Sequence, residues 1–196
     1  MRSTRYYFKS VVSIVFLGLI MSFGLFQDEG KTIAWSENRP LKWEDFQGPP
    51  ADDSPYKALT DYRITFKGSI NPNNYGKKGP NVQETVYEVD CMFNIDRSWV
   101  KEGARTEELL KHEQVHFDIA EWHARTLRKE LDKLKTADPK TQKLATKLFQ
   151  DISRDCRRLQ EQYDSNTDHG VKPDQQEEWS GRVAKELKKL SKYAKE

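Results

Sequence analysis

The stretch LLKHEQVHFDIA, residues 109–120, combines the periodicity of a helix with the pattern H-E-x-x-H. Its apolar residues recur at spacings of three and four, which is typical of a helix with one buried face. On such a helix His112 and His116 lie one turn apart on the same face, so both imidazoles can reach one metal ion. Glu113 lies beside them, where its carboxylate can accept a proton from a water activated by that ion. The stretch therefore predicts a helix that supplies two metal ligands and a general base.

The chain before this helix has the alternation that is typical of β-strands. Residues 58–66 and 82–94 alternate apolar and polar side chains, and the polar segment 71–80 between them has no apolar period. These features predict two strands that form a hairpin with a long loop. Residues 32–35 predict a further short strand. We therefore expect a small antiparallel β-sheet in the amino-terminal half.

The chain beyond these strands has helical periodicity. It predicts helices at about 106–135, 141–162 and 175–194, with the polar segment 163–170 as a turn. Strands followed by helices favour an α+β architecture, in which the helical half carries the H-E-x-x-H helix. The length of 196 residues suits one ordinary domain, which we place at residues 28–196.

The amino-terminal residues have the features of an export signal. A basic start is followed by an apolar run at residues 11–26 and then by a polar, acidic stretch. The run is near the lower length limit of a spanning helix, so we favour a signal peptide over an uncleaved anchor for residues 1–27. Both interpretations predict that the rest of the chain works outside the cytoplasm, as a secreted or periplasmic protein.

Charge and cysteine content narrow the choice of partners. The formal net charge is +2 with 33% charged residues, and this balance gives no reason to expect nucleic acid as a partner. Membrane contact is expected only through an uncleaved amino-terminal segment. Cys91 and Cys156 are the two cysteines, and we expect a disulfide between them because exported proteins commonly pair such residues. Two buried free thiols are the alternative.

A catalytic zinc site needs a third protein ligand and a free position for water. His123 lies seven residues beyond His116, which is roughly 10 Å further along the helix axis and therefore too distant. Glu121 points to another side of the helix. We therefore expect the third ligand to come from another part of the chain.

The segment after the second helix contains the candidates for that ligand. An antiparallel return of the second helix brings its end back towards the two histidines. We favour His169, with the carboxylates of Asp164 and Glu161 as alternatives. Tyr163, in the same segment, has two interpretations: a donor to a developing oxyanion or a packed core tyrosine.

Three segments together resemble a known family. They are residues 112–121, residues 41–48 (LKWEDFQG) and residues 163–170 (YDxxTxHG), the last followed by Gln175 and Trp179. In combination they are similar to the bacterial secreted proteins grouped as the DUF922 family, to which zinc-dependent protease activity is ascribed. The resemblance covers nearly all of the chain after the signal. It implies a zincin-like metallohydrolase domain with Zn2+ as cofactor.

The expected function is hydrolysis of peptide bonds in a protein or peptide substrate. Zinc held by His112, His116 and His169 would activate a water, and Glu113 would take the proton of that water and pass it to the leaving amine. The alternative is an exported zinc-binding protein, or an envelope interaction protein with an inert motif, that lacks hydrolase activity.

Overall fold

The computed structural model describes residues 30–51, 53–70, 84–134 and 136–195. The predicted signal and the predicted hairpin loop lie outside these residues. The described elements are β1 (Thr32–Ala34), β2 (Ala58–Leu59), β3 (Tyr62–Ile70), β4 (Thr85–Asn94), β5 (Trp99–Val100), α1 (Glu107–Leu131), α2 (Pro139–Thr167) and α3 (Pro173–Lys189). Short 3-10 turns occur at Trp43–Asp45 and Ser191–Tyr193. Antiparallel strands followed by helices confirm the predicted α+β architecture.

The three-stranded sheet has the order β1-β4-β3, and its pairs are antiparallel. β3 pairs with β4 along its whole length, beginning with Tyr62 opposite Phe93, which confirms the predicted pairing. The predicted strand at residues 58–66 is divided, however, because its first two residues form β2 and pair with β5. At the break, the backbone N–H of Asp61 donates to the Ser98 hydroxyl at 2.9 Å instead of to a strand neighbour.

α1 is the central helix of the molecule. Thr106 caps its start by accepting a hydrogen bond from the backbone N–H of Leu109 at 3.2 Å. One face packs on β4, where the ring centroids of Phe93 and Phe117 lie 5.8 Å apart, and other faces pack on α2 and α3. Because the helix is covered on several sides, the side chains of its H-E-x-x-H motif are held by packing from neighbouring elements.

α2 ends at Thr167, five residues beyond its predicted end at residue 162. The predicted turn at residues 163–170 was therefore wrong for residues 163–167, and the turn begins at Asp168. Tyr163 is fully buried, with its ring centroid 5.5 Å from that of Trp179, and the Thr167 hydroxyl donates to the Tyr163 carbonyl at 2.8 Å. Tertiary packing thus outweighs the low helix propensity of the polar residues that follow Tyr163.

The predicted disulfide is not formed. Cys91 on β4 and Cys156 on α2 are both buried free thiols, which was the alternative. The Cys156 sulfur lies 3.4 Å from the Tyr62 hydroxyl, and burial raises the pKa of the Cys156 thiol to about 11. Burial also raises the pKa of the Cys91 thiol well above its ordinary value. Both groups therefore behave as small apolar side chains of the core.

None of the described helices is long and apolar enough to cross a membrane.

Candidate metal centre

Three side chains from two helices bring their ligand atoms together. His112 and His116 come from successive turns of α1, and Asp164 comes from α2, which runs antiparallel to α1. The two Nε2 atoms lie 3.1 Å apart, and Asp164 Oδ1 lies 3.2 Å from the first and 3.0 Å from the second. Four-coordinate zinc with bonds near 2.0–2.1 Å places its ligand atoms about 3.3 Å apart. The three atoms therefore fit a single metal ion.

Two glutamines fix the orientation of the imidazoles. His116 Nδ1 lies 2.6 Å from Gln160 Oε1, and His112 Nδ1 lies 3.1 Å from Gln176 Oε1. An amide oxygen can only accept, so each Nδ1 is the donor, and each Nε2 then keeps its lone pair for the shared site. Hydrogen bonds of this kind hold metal-binding histidines in the correct tautomer.

The orientation of the Gln176 amide leaves its nitrogen without a hydrogen-bond partner among the described residues. Its Oε1 accepts from both His112 Nδ1 and the Tyr163 hydroxyl, the latter at 2.6 Å, whereas its buried Nε2 has no hydrogen-bond partner among the described residues. An unpaired buried amide N–H is unfavourable. The amide oxygen therefore faces His112 as a metal-binding imidazole requires, although this leaves its own nitrogen unsatisfied.

The Tyr163 ring packs against one face of the His112 imidazole. The rings are stacked, with centroids 4.7 Å apart and an interplanar angle of 21°. The Tyr163 hydroxyl bonds Gln176 at the Nδ1 edge of the imidazole, opposite the Nε2 ligand atom. These contacts are those of a packed core tyrosine that orients the His112 ring. The role of Tyr163 as a donor to an oxyanion stays a prediction.

Glu113 is buried beside the three ligands. Only 3% of its surface is exposed, and Glu113 Oε2 accepts a hydrogen bond from the Thr60 hydroxyl at 2.7 Å. Thr60 directly follows β2, so the small β2–β5 sheet positions the predicted general base. The three ligands and Glu113 line one cleft of about 1170 Å³. A carboxylate in this place can accept a proton from a molecule bound in the cleft.

The electrostatics of the group favour a cation. Burial raises the pKa of Asp164, but hydrogen bonds from His112 and His116, which exist only while these imidazoles carry a proton at Nε2, outweigh it and lower the pKa well below its usual range. Burial lowers the pKa of His116, but Asp164 and Glu113 outweigh it and raise the pKa above its ordinary value. Two carboxylates that favour a proton on His116 favour a divalent cation at the same place.

His169 lies at the edge of this group. Its Nδ1 is 3.5 Å from Asp164 Oδ1, its ring centroid is 4.8 Å from that of Tyr56, and 46% of the side chain is exposed. Among the described residues, Asp164 completes the group of three, and His169 contacts Asp164 from the rim of the cleft. Glu161, the third candidate, also lines the cleft.

The backbone around His169 is unusual. Asp168, His169 and Gly170 have successive positive φ angles of 51°, 54° and 81°. A Cβ at Gly170 would lie 3.0 Å from His112 Cγ, so this close approach to the imidazole requires glycine. The turn after α2 is therefore packed directly against a candidate metal ligand.

The residues that helix geometry excluded as ligands are engaged elsewhere. His123 Nδ1 donates to the Ile119 carbonyl at 2.8 Å. Glu121 forms ion pairs with Arg125 and Arg128.

Sequence reasoning missed Gln160, Gln176 and Thr60. Gln160 precedes Asp164 by one helical turn, so both face α1 once α2 is known to continue through residue 164. That spacing was the available signal. Gln176 and Thr60 come from elements whose contact with α1 depends on the tertiary fold, and the sequence contains no local signal for them.

An H-E-x-x-H helix at the centre of an α+β fold, with a carboxylate from a second helix, defines a protein with a candidate catalytic metal site. The chain belongs to a family described as "Bacterial protein of unknown function (DUF922)", whose model matches residues 43–170. This match confirms the resemblance seen in the sequence segments. No curated protein and no solved structure matches the chain.

Proposed function

We propose that the protein is a zinc-dependent peptidase with Glu113 as general base. One observation carries this proposal: two imidazole nitrogens and a carboxylate oxygen lie within 3.2 Å of one another, next to a buried glutamate in the same cleft. Three protein ligands with room for a further molecule are typical of catalytic zinc sites. Two histidines and one carboxylate are a donor set that zinc accepts.

Each residue has a defined task in this proposal. His112, His116 and Asp164 would hold the ion, which when bound supplies Lewis-acid activation of a water and of the scissile carbonyl. Glu113 accepts the proton of the attacking water at its carboxylate and passes it to the leaving amine. Thr60 restricts the Glu113 carboxylate to one orientation through the 2.7 Å hydrogen bond.

The cleft has the size that such a reaction needs. A volume of about 1170 Å³ accommodates several residues of a peptide around the scissile bond. The export signal expected from the sequence supports an activity outside the cytoplasm, so the proposed substrate is a secreted, periplasmic or external protein or peptide.

A second candidate is a zinc-binding protein without hydrolase activity. The proximity of His169 to Asp164, 3.5 Å between Nδ1 and Oδ1, favours it. If His169 turned to become a fourth protein ligand, the site would be closed, and closed four-ligand sites are structural.

The decisive experiment compares the parent protein with Glu113→Gln. We expect about one zinc per chain in both by elemental analysis, because Glu113 is not a ligand. Hydrolysis of a mixed peptide library, followed by mass spectrometry, should occur with the parent and fall by about 10²- to 10⁴-fold in the variant. Equal hydrolysis by the two proteins would refute the role of Glu113, and zinc without any hydrolysis in the parent would favour the second candidate.

A further inference from the structure

Exposed apolar side chains are concentrated at the cleft. Among the described residues, the large apolar side chains with high exposure are Tyr56 (46%), Leu59 (41%), Val86 (43%), Leu144 (45%) and Val171 (65%). Three of these five, Tyr56, Leu59 and Val171, line the cleft that contains the metal group. Single exposed apolar residues are ordinary, but a cluster around one cleft indicates a surface that a ligand covers.

Leu59 is linked to the general base. It lies in β2 between the buried residues Ala58 and Thr60, so its side chain is turned away from the core. The next residue, Thr60, donates to the Glu113 carboxylate. Leu59 and Glu113 line the same cleft, so one ligand in that cleft can contact both.

Val171 and Tyr56 are linked to the metal ligands. Val171 directly follows Gly170, which approaches the His112 ring closely. The Tyr56 ring contacts His169, and His169 contacts Asp164. Each of these three residues is thus connected to a different residue of the site through one intervening residue.

The charges of the cleft do not select a substrate by sign. Basic and acidic side chains both line it: Lys57, Lys101, Arg157, Glu102, Glu108, Glu161 and Asp168. Because both signs are present, charge gives no preference for an acidic or a basic peptide. The apolar rim is the feature that distinguishes one peptide from another.

We propose that the cleft binds peptides with bulky apolar side chains, such as leucine or phenylalanine, next to the scissile bond. This inference rests on the proposed peptidase function, since it assigns the substrate class of the same site. Leu59 and Val171 supply the apolar contact for these side chains, and Tyr56 extends the contact towards His169. Burial of apolar surface on both partners provides the driving force.

Binding of peptide hydroxamates to the zinc-loaded full-length chain tests this inference without turnover. A leucyl hydroxamate and its seryl analogue share the zinc-binding group and differ in one side chain. Isothermal titration calorimetry should show the leucyl compound binding on the order of tenfold more tightly. Leu59→Ser and Val171→Ser should each remove most of this preference and leave the zinc content unchanged.

The chain offers matched controls for both substitutions. Leu144→Ser and Val86→Ser alter exposed residues of the same types away from the cleft, so the preference should persist in both. Equal binding of the two compounds by the parent, no binding of either, or an unchanged preference in both cleft variants would each overturn the inference. Tight leucyl binding without peptide hydrolysis would instead contradict the proposed peptidase function and leave the apolar preference standing.

Discussion

α1 carries two clusters of buried polar side chains, two to three turns apart, and they differ in how their charges are satisfied. In one cluster, Glu121 accepts from Arg125 Nε at 2.9 Å and from Arg128 Nη1 at 2.8 Å. Each arginine also donates to backbone carbonyls: Arg125 to that of Leu187, and Arg128 to those of Val89 and Tyr193. This cluster is complete, and it ties α1 to the sheet and to the carboxy-terminal residues.

The other cluster is built from acceptors. When Gln160 and Gln176 accept hydrogen bonds from the Nδ1–H groups of the neutral histidines, both Nε2 atoms and the Asp164 carboxylate present lone pairs to the same point. Electron-pair donors held within 3.2 Å repel one another unless a cation lies between them. The comparison shows why one buried polar cluster stabilises the fold and the other is suited to binding a metal.

Removal of Asp164 should have the largest effect of any change in the acceptor cluster. Asp164→Ala takes away the only carboxylate in the group of three, so we expect the zinc content to fall from about one per chain to near zero. His169→Ala should retain zinc, because His169 contacts Asp164 from outside the group. Elemental analysis after dialysis measures both. The opposite pattern, with zinc lost only in His169→Ala, would make His169 the third ligand.

Removal of one charge from the complete cluster should affect stability instead of metal binding. Glu121→Gln leaves Arg125 and Arg128 buried without a countercharge, which destabilises a protein by about 3–5 kcal/mol. Urea denaturation of the metal-free protein measures the free energy of unfolding. The control is Glu130→Gln on the same helix, where Glu130 pairs with the exposed Lys133 and the expected change is below about 1 kcal/mol.

Zinc content provides a second measurement for Glu121→Gln and its control Glu130→Gln. It should be unchanged in Glu121→Gln, because Glu121 bonds neither the ligands nor the glutamines that orient them. A loss of zinc in a variant that is still folded would show that the two clusters are coupled, and the distinction between them would fail.

The sequence was sufficient for the part of the site that local geometry determines. The four-residue spacing of His112 and His116 fixes their common face, and Glu113 follows from the same helix. Alternation and periodicity were also sufficient for the order of the longer strands and the helices, but not for β5 or for the break between β2 and β3. Each of these features depends on neighbours within one element, so no knowledge of the tertiary fold was needed.

The remainder of the site depends on contacts between elements. The participation of Asp164 depends on α2 continuing past residue 162, which the burial of Tyr163 against Trp179 and His112 makes favourable. Gln160 and Gln176 depend on how α2 and α3 align with α1. Periodicity within one helix cannot determine the alignment between helices. The burial of Tyr163 could therefore not be predicted, and the polar composition of residues 163–170 led to the prediction of a turn.

Loss of an orienting glutamine should have an intermediate effect. Gln160→Ala removes the acceptor for His116 Nδ1 and the donor to the His116 carbonyl, but it keeps all three ligands. Removal of such a partner lowers metal affinity by about 10- to 100-fold. Competition with a chromophoric chelator measures the zinc Kd. Gln142→Ala, at an exposed position of the same helix, is the control and should bind zinc as the parent does. Equal affinities of the two variants would show that packing alone orients His116.

The smallest expected effect concerns a charge that belongs to neither cluster. Asp138 caps α2, and hydrogen bonds from the Thr141 backbone N–H and from the hydroxyls of Thr136 and Thr141 lower the pKa of Asp138 to about 2. A pKa below that of the unfolded chain means that the carboxylate stabilises the fold above about pH 4, and that this stabilisation is lost as pH falls towards 2. Asp138→Asn keeps a capping oxygen without a charge.

The Asp138 comparison is made by measuring unfolding as a function of pH. The parent should be more stable than Asp138→Asn at pH 6, and the difference should shrink between pH 4 and pH 2 because only the parent loses a charge at position 138. A difference that stays constant with pH would mean that Asp138 acts only as a hydrogen-bond acceptor.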